Sequence, residues 1–416
     1  MTVLGATQAR PDQESRWTLV IVLLLICLVA MGFTALQFHD PDRFGAFVTD
    51  FTTFHVVGSL AWGGDLLDAY SAEALLRHQQ AANEGALAMP WSYPPSFDLV
   101  VAALALVPLP LSYLLFTGGT LAAYLVVLRR LAGEGFPLLF LMLMPALLVN
   151  IRSGQNGFLT GALIGGFALL ALRGASKAGV PLGLMVIKPH LGLGLGVLLL
   201  LTRRWRWFLQ ALAVALATLL LATIAFGPGV WPAFLAGAGE ASGFLEAGAY
   251  RLYRMTSVYA SARSFGLPSS WALGLQGMAA LYGLLALGLA ILRGWPARRV
   301  LGLAVLGTLM VSPYNYDYDL TILGVGLALV WSDIARTEPP RLGLLLGLWF
   351  LGGYGSVGTA VHNARPEAAT YAWDQVPFAL TGPGCVLLFT AVLLALARQE
   401  RGPVPTAALP AGAPPP

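Results

Sequence analysis

Trp17–Leu36, WTLVIVLLLICLVAMGFTAL, is an apolar run with no charged residue. As a helix, about 20 residues rise roughly 30 Å, the thickness of a bilayer's hydrocarbon core. The run continues into Gln37-Phe38-His39-Asp40 without the small-residue pattern of a cleavage site, so it reads as a retained first membrane helix. Arg10 and Arg16 precede it, which places residues 1–16 in the cytoplasm. The rest of the chain agrees: of 416 residues 57% are hydrophobic and 11% charged, with a mean hydropathy of +0.74. Such a composition requires membrane lipids as the surroundings. The net charge of +4 comes from bases gathered at the ends of apolar runs, which topology explains and nucleic acid does not. Cys27 and Cys385 lie inside apolar runs, so neither a disulfide, a metal site nor a thiolate-bound cofactor is expected.

Eleven more apolar runs follow, near 96–111, 113–128, 137–149, 158–172, 180–201, 208–226, 271–292, 300–311, 320–331, 342–351 and 377–397. The predicted fold is therefore all-α, a polytopic integral membrane bundle of about twelve transmembrane helices filling residues 17–401. Basic clusters at Arg203, Arg204 and Arg206, at Arg293, Arg298 and Arg299, at Arg336 and Arg341, and at Arg398 and Arg401 mark cytoplasmic ends in the second half. That leaves residues 37–95, 227–270, 312–319 and 352–376 as outer loops. The first half disobeys: four passes between Ser96 and Leu172 put Arg129, Arg130, Arg173 and Lys177 outside. Either one pass is a re-entrant pair, or these bases stay outside to hold something anionic. The Pro- and Ala-rich stretch 402–416 is expected to be a disordered tail.

The chemistry concentrates in the loop 37–95. It holds seven acids against two bases in a chain of positive total charge, together with His39, His55 and His78. Within it, Thr49–Tyr70 (TDFTTFHVVGSLAWGGDLLDAY) sets Asp50 among Phe47, Phe51 and Phe54, whose bulk would partly desolvate a carboxylate and raise its basicity. Asp65 and Asp68 stand beside Gly63-Gly64 and read as turn or cap residues. Ser71 can cap a surface helix through Gln80, and Tyr93-Pro94-Pro95 stops one element and starts the next.

Lys188 interrupts an apolar run in Gly183-Leu-Met-Val-Ile-Lys-Pro-His190. An ammonium at that depth is costly unless paired or hydrated, so it marks a functional site or pairs with a distant carboxylate. Pro189 should break the helix beside it. Arg251, Arg254 and Arg263 form the densest positive group in the large outer loops and suit phosphate oxygens, with lipid headgroups as the plainer partner. Lys188 with Arg251, Arg254 and Arg263 is the candidate phosphate set. Tyr93, Gln155, His190 and Asp319, at polar breaks between apolar runs, form the candidate substrate-binding set. For Gln155 a loop or cap role is the alternative, and for Asp319 a helix cap. No phosphate-binding glycine loop, no H-E-x-x-H and no G-x-S-x-G occurs.

Asp50-Phe-x-x-Phe54, Gly64 to Tyr70, Tyr93-Pro-Pro-Ser-Phe97, Gly154-Gln-Asn156, Ile187-Lys-Pro189, Arg203-Arg-Trp-Arg206 and Ser312-Pro-Tyr through Asp319 resemble, in order and spacing, the polyprenol-phosphate-sugar-dependent glycosyltransferases of family 87. The likeness spans most of Met31 to Trp331. It implies a GT-C fold on the plasma membrane, with an acid of the first outer loop as the catalytic residue, here Asp50. It further implies a polyprenyl-phosphate sugar donor, with mannose the sugar it points to, a lipid or glycan acceptor, and no cofactor. A reading from another class, a transporter or flippase for a lipid-linked or anionic substrate, would use Lys188 and Pro189 at a broken helix. It gives the acidic loop no task.

Overall fold

A bilayer core offers no water to backbone N–H and C=O groups, so apolar runs must close their own hydrogen bonds, and helices do that. The computed structural model describes residues 13–44, 49–82, 89–335, 341–363 and 377–400. The expected N-terminal segment through residue 12, Phe47, Arg336 and the tail from residue 402 lie outside them. The chain folds as α1 (Gln13–His39), α2 (Pro41–Phe44), α3 (Asp50–Gly63), α4 (Ala72–Ala82), α5 (Pro95–Leu104), α6 (Leu109–Ala132), α7 (Phe136–Ser153), α8 (Gly157–Leu172), α9 (Gly179–Gly183), α10 (Leu193–Leu201), α11 (Trp205–Phe226), α12 (Val230–Ala247), α13 (Val258–Ser264), α14 (Ser269–Leu292), α15 (Ala297–Thr308), α16 (Thr321–Ile334), α17 (Arg341–Asn363) and α18 (Thr381–Glu400). The β pairing among the described residues is an isolated antiparallel bridge between Met255 and Tyr316. Six helical stretches are long and apolar enough to cross a membrane, one of them Leu109–Ser153, in which α6 and α7 meet at a 3-10 turn, Gly133–Gly135. The protein is an all-α, multi-pass membrane bundle.

The first half corrects the expected path of the chain. The run 96–111 is no separate pass, because α5 ends at Leu104 and lies along α3, where the Trp62 indole donates to the Ala102 carbonyl at 2.8 Å and His55 Nε2 lies 3.0 Å from the Val107 carbonyl. Three passes, α6, α7 and α8, therefore replace four. The end of α6 returns to the start of α1: the Arg129 guanidinium covers the Trp17 ring at 4.8 Å, and Arg16 reaches Glu134 at 3.7 Å. The run 180–201 is a hairpin rather than one helix, with Lys188-Pro189 at its turn. Its two feet lie together against the start of α11, since Gly179 N–H donates to Gln210 at 2.9 Å and Trp207 to the Ala175 carbonyl at 3.1 Å.

Of the two readings for the misplaced bases, the structure takes the re-entrant one. Arg129, Arg130, Arg173 and Lys177 fall at the same end as Arg16 and the Arg203 cluster. Arg298 stitches that basic end together by donating to the carbonyls of Leu131, Ala328 and Leu329, while Arg299 bonds Asp333 at 2.9 Å and Gln399 at 2.8 Å. Because lipid is as apolar as leucine, helices in a bilayer gain mainly from close packing, and small residues let backbones approach. A Cβ on Gly183 would strike α11 at Ala211 and Val214, and one on Gly165 would strike Val127 of α6. The opposite end gathers the polar connections: the starts of α3 and α5, the α7–α8 turn, the hairpin's tip, and the segments before α13 and α16.

Candidate active site

Asp50 opens α3. Thr49 caps that helix, accepting from Phe51 N–H at 3.2 Å, while the Thr52 hydroxyl donates to the Thr49 carbonyl at 2.6 Å. The carboxylate therefore stands in a first turn, where the helix dipole favours negative charge. Phe51 and Phe54 turn into a buried aromatic cluster with Tyr113, Phe116, Trp91, Tyr93 and Phe97. That packing leaves Asp50 half-buried above the rings. Burial raises the Asp50 pKa above its ordinary value, and Asp317 adds to the rise; Arg254, a hydrogen bond from Gln155 and Lys188 oppose it without cancelling it.

Gln155 is buried between α7 and α8. Two glycines allow it there: Gly154 takes φ +65° with its α-carbon against Phe51, and a Cβ on Gly157 would run into the Tyr318 carbonyl. The Gln155 carbonyl accepts from the Tyr93 hydroxyl at 2.8 Å, which turns its amide nitrogen toward Asp50.

The two cations that act on Asp50 each carry their own carboxylate. Lys188 Nζ donates to Asp319 at 2.7 Å, with the pair sealed from solvent, and sits over the Tyr318 ring at 4.7 Å. Arg254, in the 3-10 turn Leu252–Arg254, forks onto Asp317 at 2.9 and 3.0 Å. Burial works to lower the Arg254 pKa, but Asp317 holds it above its ordinary value. Both acids come from one turn, Asp317–Leu320, closed by Tyr316 N–H donating to Asp319 at 3.1 Å. The Met255–Tyr316 bridge and a 2.8 Å bond from Thr256 N–H to the Asn315 carbonyl hold the arginine turn against the acid turn. Tyr316 and Tyr318 stack with centroids 5.5 Å apart.

The structure thus brings together Asp50, Tyr93, Gln155, Lys188, Arg254 and Asp319. His190, at the hairpin's tip, is half-buried with Nε2 enclosed and without a hydrogen-bond partner. Arg251 precedes the arginine turn and makes no ion pair with another described residue. Arg263 does not join the cluster: its guanidinium ties Leu267 and Glu246 carbonyls at 2.8 and 2.7 Å, closing the turn after α13. Sequence reasoning missed Asp317 and Asp98. The signal for the first was the Asp-Tyr-Asp alternation at 317–319, which offers two acids to two cations; for the second it was a carboxylate inside an apolar run.

The model of the family described as glycosyltransferase family 87 matches residues 91–313, just over half of the chain. No curated protein and no solved structure matches it. The matched residues carry Tyr93, Gln155, Lys188 and Arg254, the parts of the cluster that surround Asp50 from α5 through the arginine turn. The family, the multi-pass bundle and the polar cluster at one end of it agree, and against the transporter reading the chain belongs to glycosyltransferase family 87, a membrane glycosyltransferase.

Proposed function

We propose that this glycosyltransferase moves a hexose, mannose in the first instance, from a polyprenyl-phosphate sugar to a lipid or glycan acceptor on the extracytoplasmic face of the plasma membrane. Asp50 is the general base of a single inverting displacement. The acceptor oxygen attacks the anomeric carbon while Asp50 takes its proton. The anomeric carbon–oxygen bond breaks, and its electron pair leaves on the phosphate. The polyprenyl phosphate gains a negative charge in that step, which nearby cations stabilise. A phosphate departs without being protonated, so one carboxylate suffices.

The observation that carries this reading is a half-buried carboxylate of raised pKa under the joint influence of Lys188 and Arg254. The side of the membrane follows from charge. Among the described residues, the basic clusters at Arg129 and Arg130, at Arg203 to Arg206 and at Arg298 and Arg299 fall at the end opposite Asp50, as the positive-inside tendency asks of cytoplasmic ends. Tyr93 and Gln155 orient the base, His190 and Asp319 border the donor, and Arg251 stands beside Arg254 for the phosphate. The placement of Arg263 gives it a structural task instead.

The test is incubation of purified protein with labelled polyprenyl-phosphate mannose and polyprenyl-phosphate glucose, with extracted membrane lipids and octyl mannoside as acceptors. Transfer of label with inversion is expected, and no transfer from either donor overturns the donor assignment. For orientation, Ser242→Cys should react with an impermeant thiol reagent on intact cells and Lys177→Cys should not. The reverse pattern inverts the assigned face.

A further inference from the structure

Asp98 lies in the first turn of α5, fully enclosed by protein. A carboxylate in such a place costs several kcal/mol unless its oxygens are satisfied. Two donors satisfy it: the Tyr70 hydroxyl at 2.6 Å on one oxygen and the Trp91 indole at 2.9 Å on the other. Tyr70 ends the 3-10 turn Leu66–Tyr70 and Trp91 lies in the stretch entering α5, so one acid ties together two segments on either side of α4.

Everything Asp98 holds leads to Tyr93. The Tyr70 hydroxyl also reaches the Tyr93 carbonyl at 3.3 Å, and the Trp91 and Phe97 rings flank the Tyr93 ring at 4.9 and 4.6 Å. Tyr93 in turn bonds Gln155, the neighbour whose amide acts on the Asp50 carboxylate. The same turn of α5 touches the cationic side of the site, because the Ser96 hydroxyl donates at 3.1 Å to the Val186 carbonyl, in the turn just before Lys188. We propose that Asp98 is a positioning residue for sugar transfer: by clamping Tyr70 and Trp91 it fixes Tyr93, and through Gln155 it sets the orientation of Asp50. The inference rests on the reading of Asp50 as base.

The experiment compares Asp98→Asn, Tyr93→Phe and the double variant in steady-state transfer from polyprenyl-phosphate mannose, with Asp50→Asn alongside. A misplacement near 1 Å costs about 10²-fold, so Asp98→Asn should lower kcat about 10- to 100-fold while the donor KM moves less than about 3-fold. Residues that act through one chain are not additive, so the double variant should lie within about 3-fold of the slower single one. Unchanged kcat in Asp98→Asn, or losses that multiply, overturns the proposal. If Asp50→Asn keeps its turnover, the base assignment fails; if Asp50→Asn is inactive and Asp98→Asn is not, this inference alone fails.

Should Asp98→Asn not fold, Tyr70→Phe removes one of the two donors, and the same fall in kcat is expected of it. A reading independent of turnover is the fluorine resonance of 3-fluorotyrosine placed at position 93. It should shift in Asp98→Asn, and an unmoved resonance overturns the coupling.

Discussion

The two ends of the bundle use the same side chains for different work. At the basic end, Arg298 spends its donors on the carbonyls of Leu131, Ala328 and Leu329, joining α6 to α16. At the other end, Lys188 and Arg254 spend theirs on carboxylates of one short turn, and those pairs face a third carboxylate, Asp50. An arginine bonded to helix carbonyls closes a structure. A cation held by a carboxylate beside another carboxylate keeps its charge aimed at one place, which is what a leaving phosphate needs. The contrast predicts that substitutions of charges at the basic end change stability alone and substitutions of the carboxylate-held charges at the site end change chemistry.

The largest effect is expected at Asp50. Asp50→Asn keeps the shape and loses the proton acceptor, so turnover should fall by about 10²- to 10⁴-fold while donor binding persists. In the proposed role Asp50 works deprotonated, and burial raises its pKa, so activity of the unmodified enzyme should be lost as pH falls, with the acidic limb above the ordinary carboxylate value near 3.8. An Asn variant with near-normal turnover, or an acidic limb below that value, would break the comparison at its centre.

The next effect concerns the sealed pair. Lys188→Met leaves Asp319 buried without its cation, and removing one partner of such a pair costs about 3–5 kcal/mol. Lys188→Met with Asp319→Asn removes both charges and should recover most of that stability without recovering transfer. Equal melting of the single and double variants would show that the pair adds little, and recovered transfer would show that Lys188 serves structure alone.

How much of this was legible in the chain follows from what hydropathy can carry. Trp17–Leu36 announces a membrane helix by itself, because the cost of crossing lipid is summed along the sequence. Lys188 announces itself for the same reason, as the cost that does not fit. Its partner, 131 residues away, does not, since no local pattern encodes which acid will meet it. The run 96–111 misled because composition is the same for a helix that crosses lipid and one that lies against α3, and that single miscount placed Arg129 and Lys177 at the wrong end. Asp50 stood out through its phenylalanine neighbours. Asp98 was hidden by being counted as part of a membrane pass.

Third in size is the basic end itself. Arg298→Met deprives three helix carbonyls of a charged donor, and a hydrogen bond to a charged group contributes about 1.5–3 kcal/mol. Thermal stability in detergent should fall accordingly, with transfer per folded molecule unchanged. A selective fall in turnover at full stability would mean that this end reports to the active site.

The smallest effect tests whether location alone makes a charge functional. Arg77 and Glu73 form an ion pair at 2.9 Å on α4, in the same acidic loop as Asp50, but both side chains stand mostly in solvent, 65% and 87% exposed. Water screens such a pair, and removing it changes stability by about 0.5 kcal/mol or less. Arg77→Ala should therefore leave both melting and transfer within error of the parent, although it lies at the site end. Lys188 and Arg254 differ from it in being mostly shielded from solvent and in being held by buried acids that themselves sit on a closed turn. If Arg77→Ala lowered transfer tenfold, enclosure would not be what separates working charges from solvated ones, and the loop's overall negative charge would have to be part of how the enzyme meets its substrate.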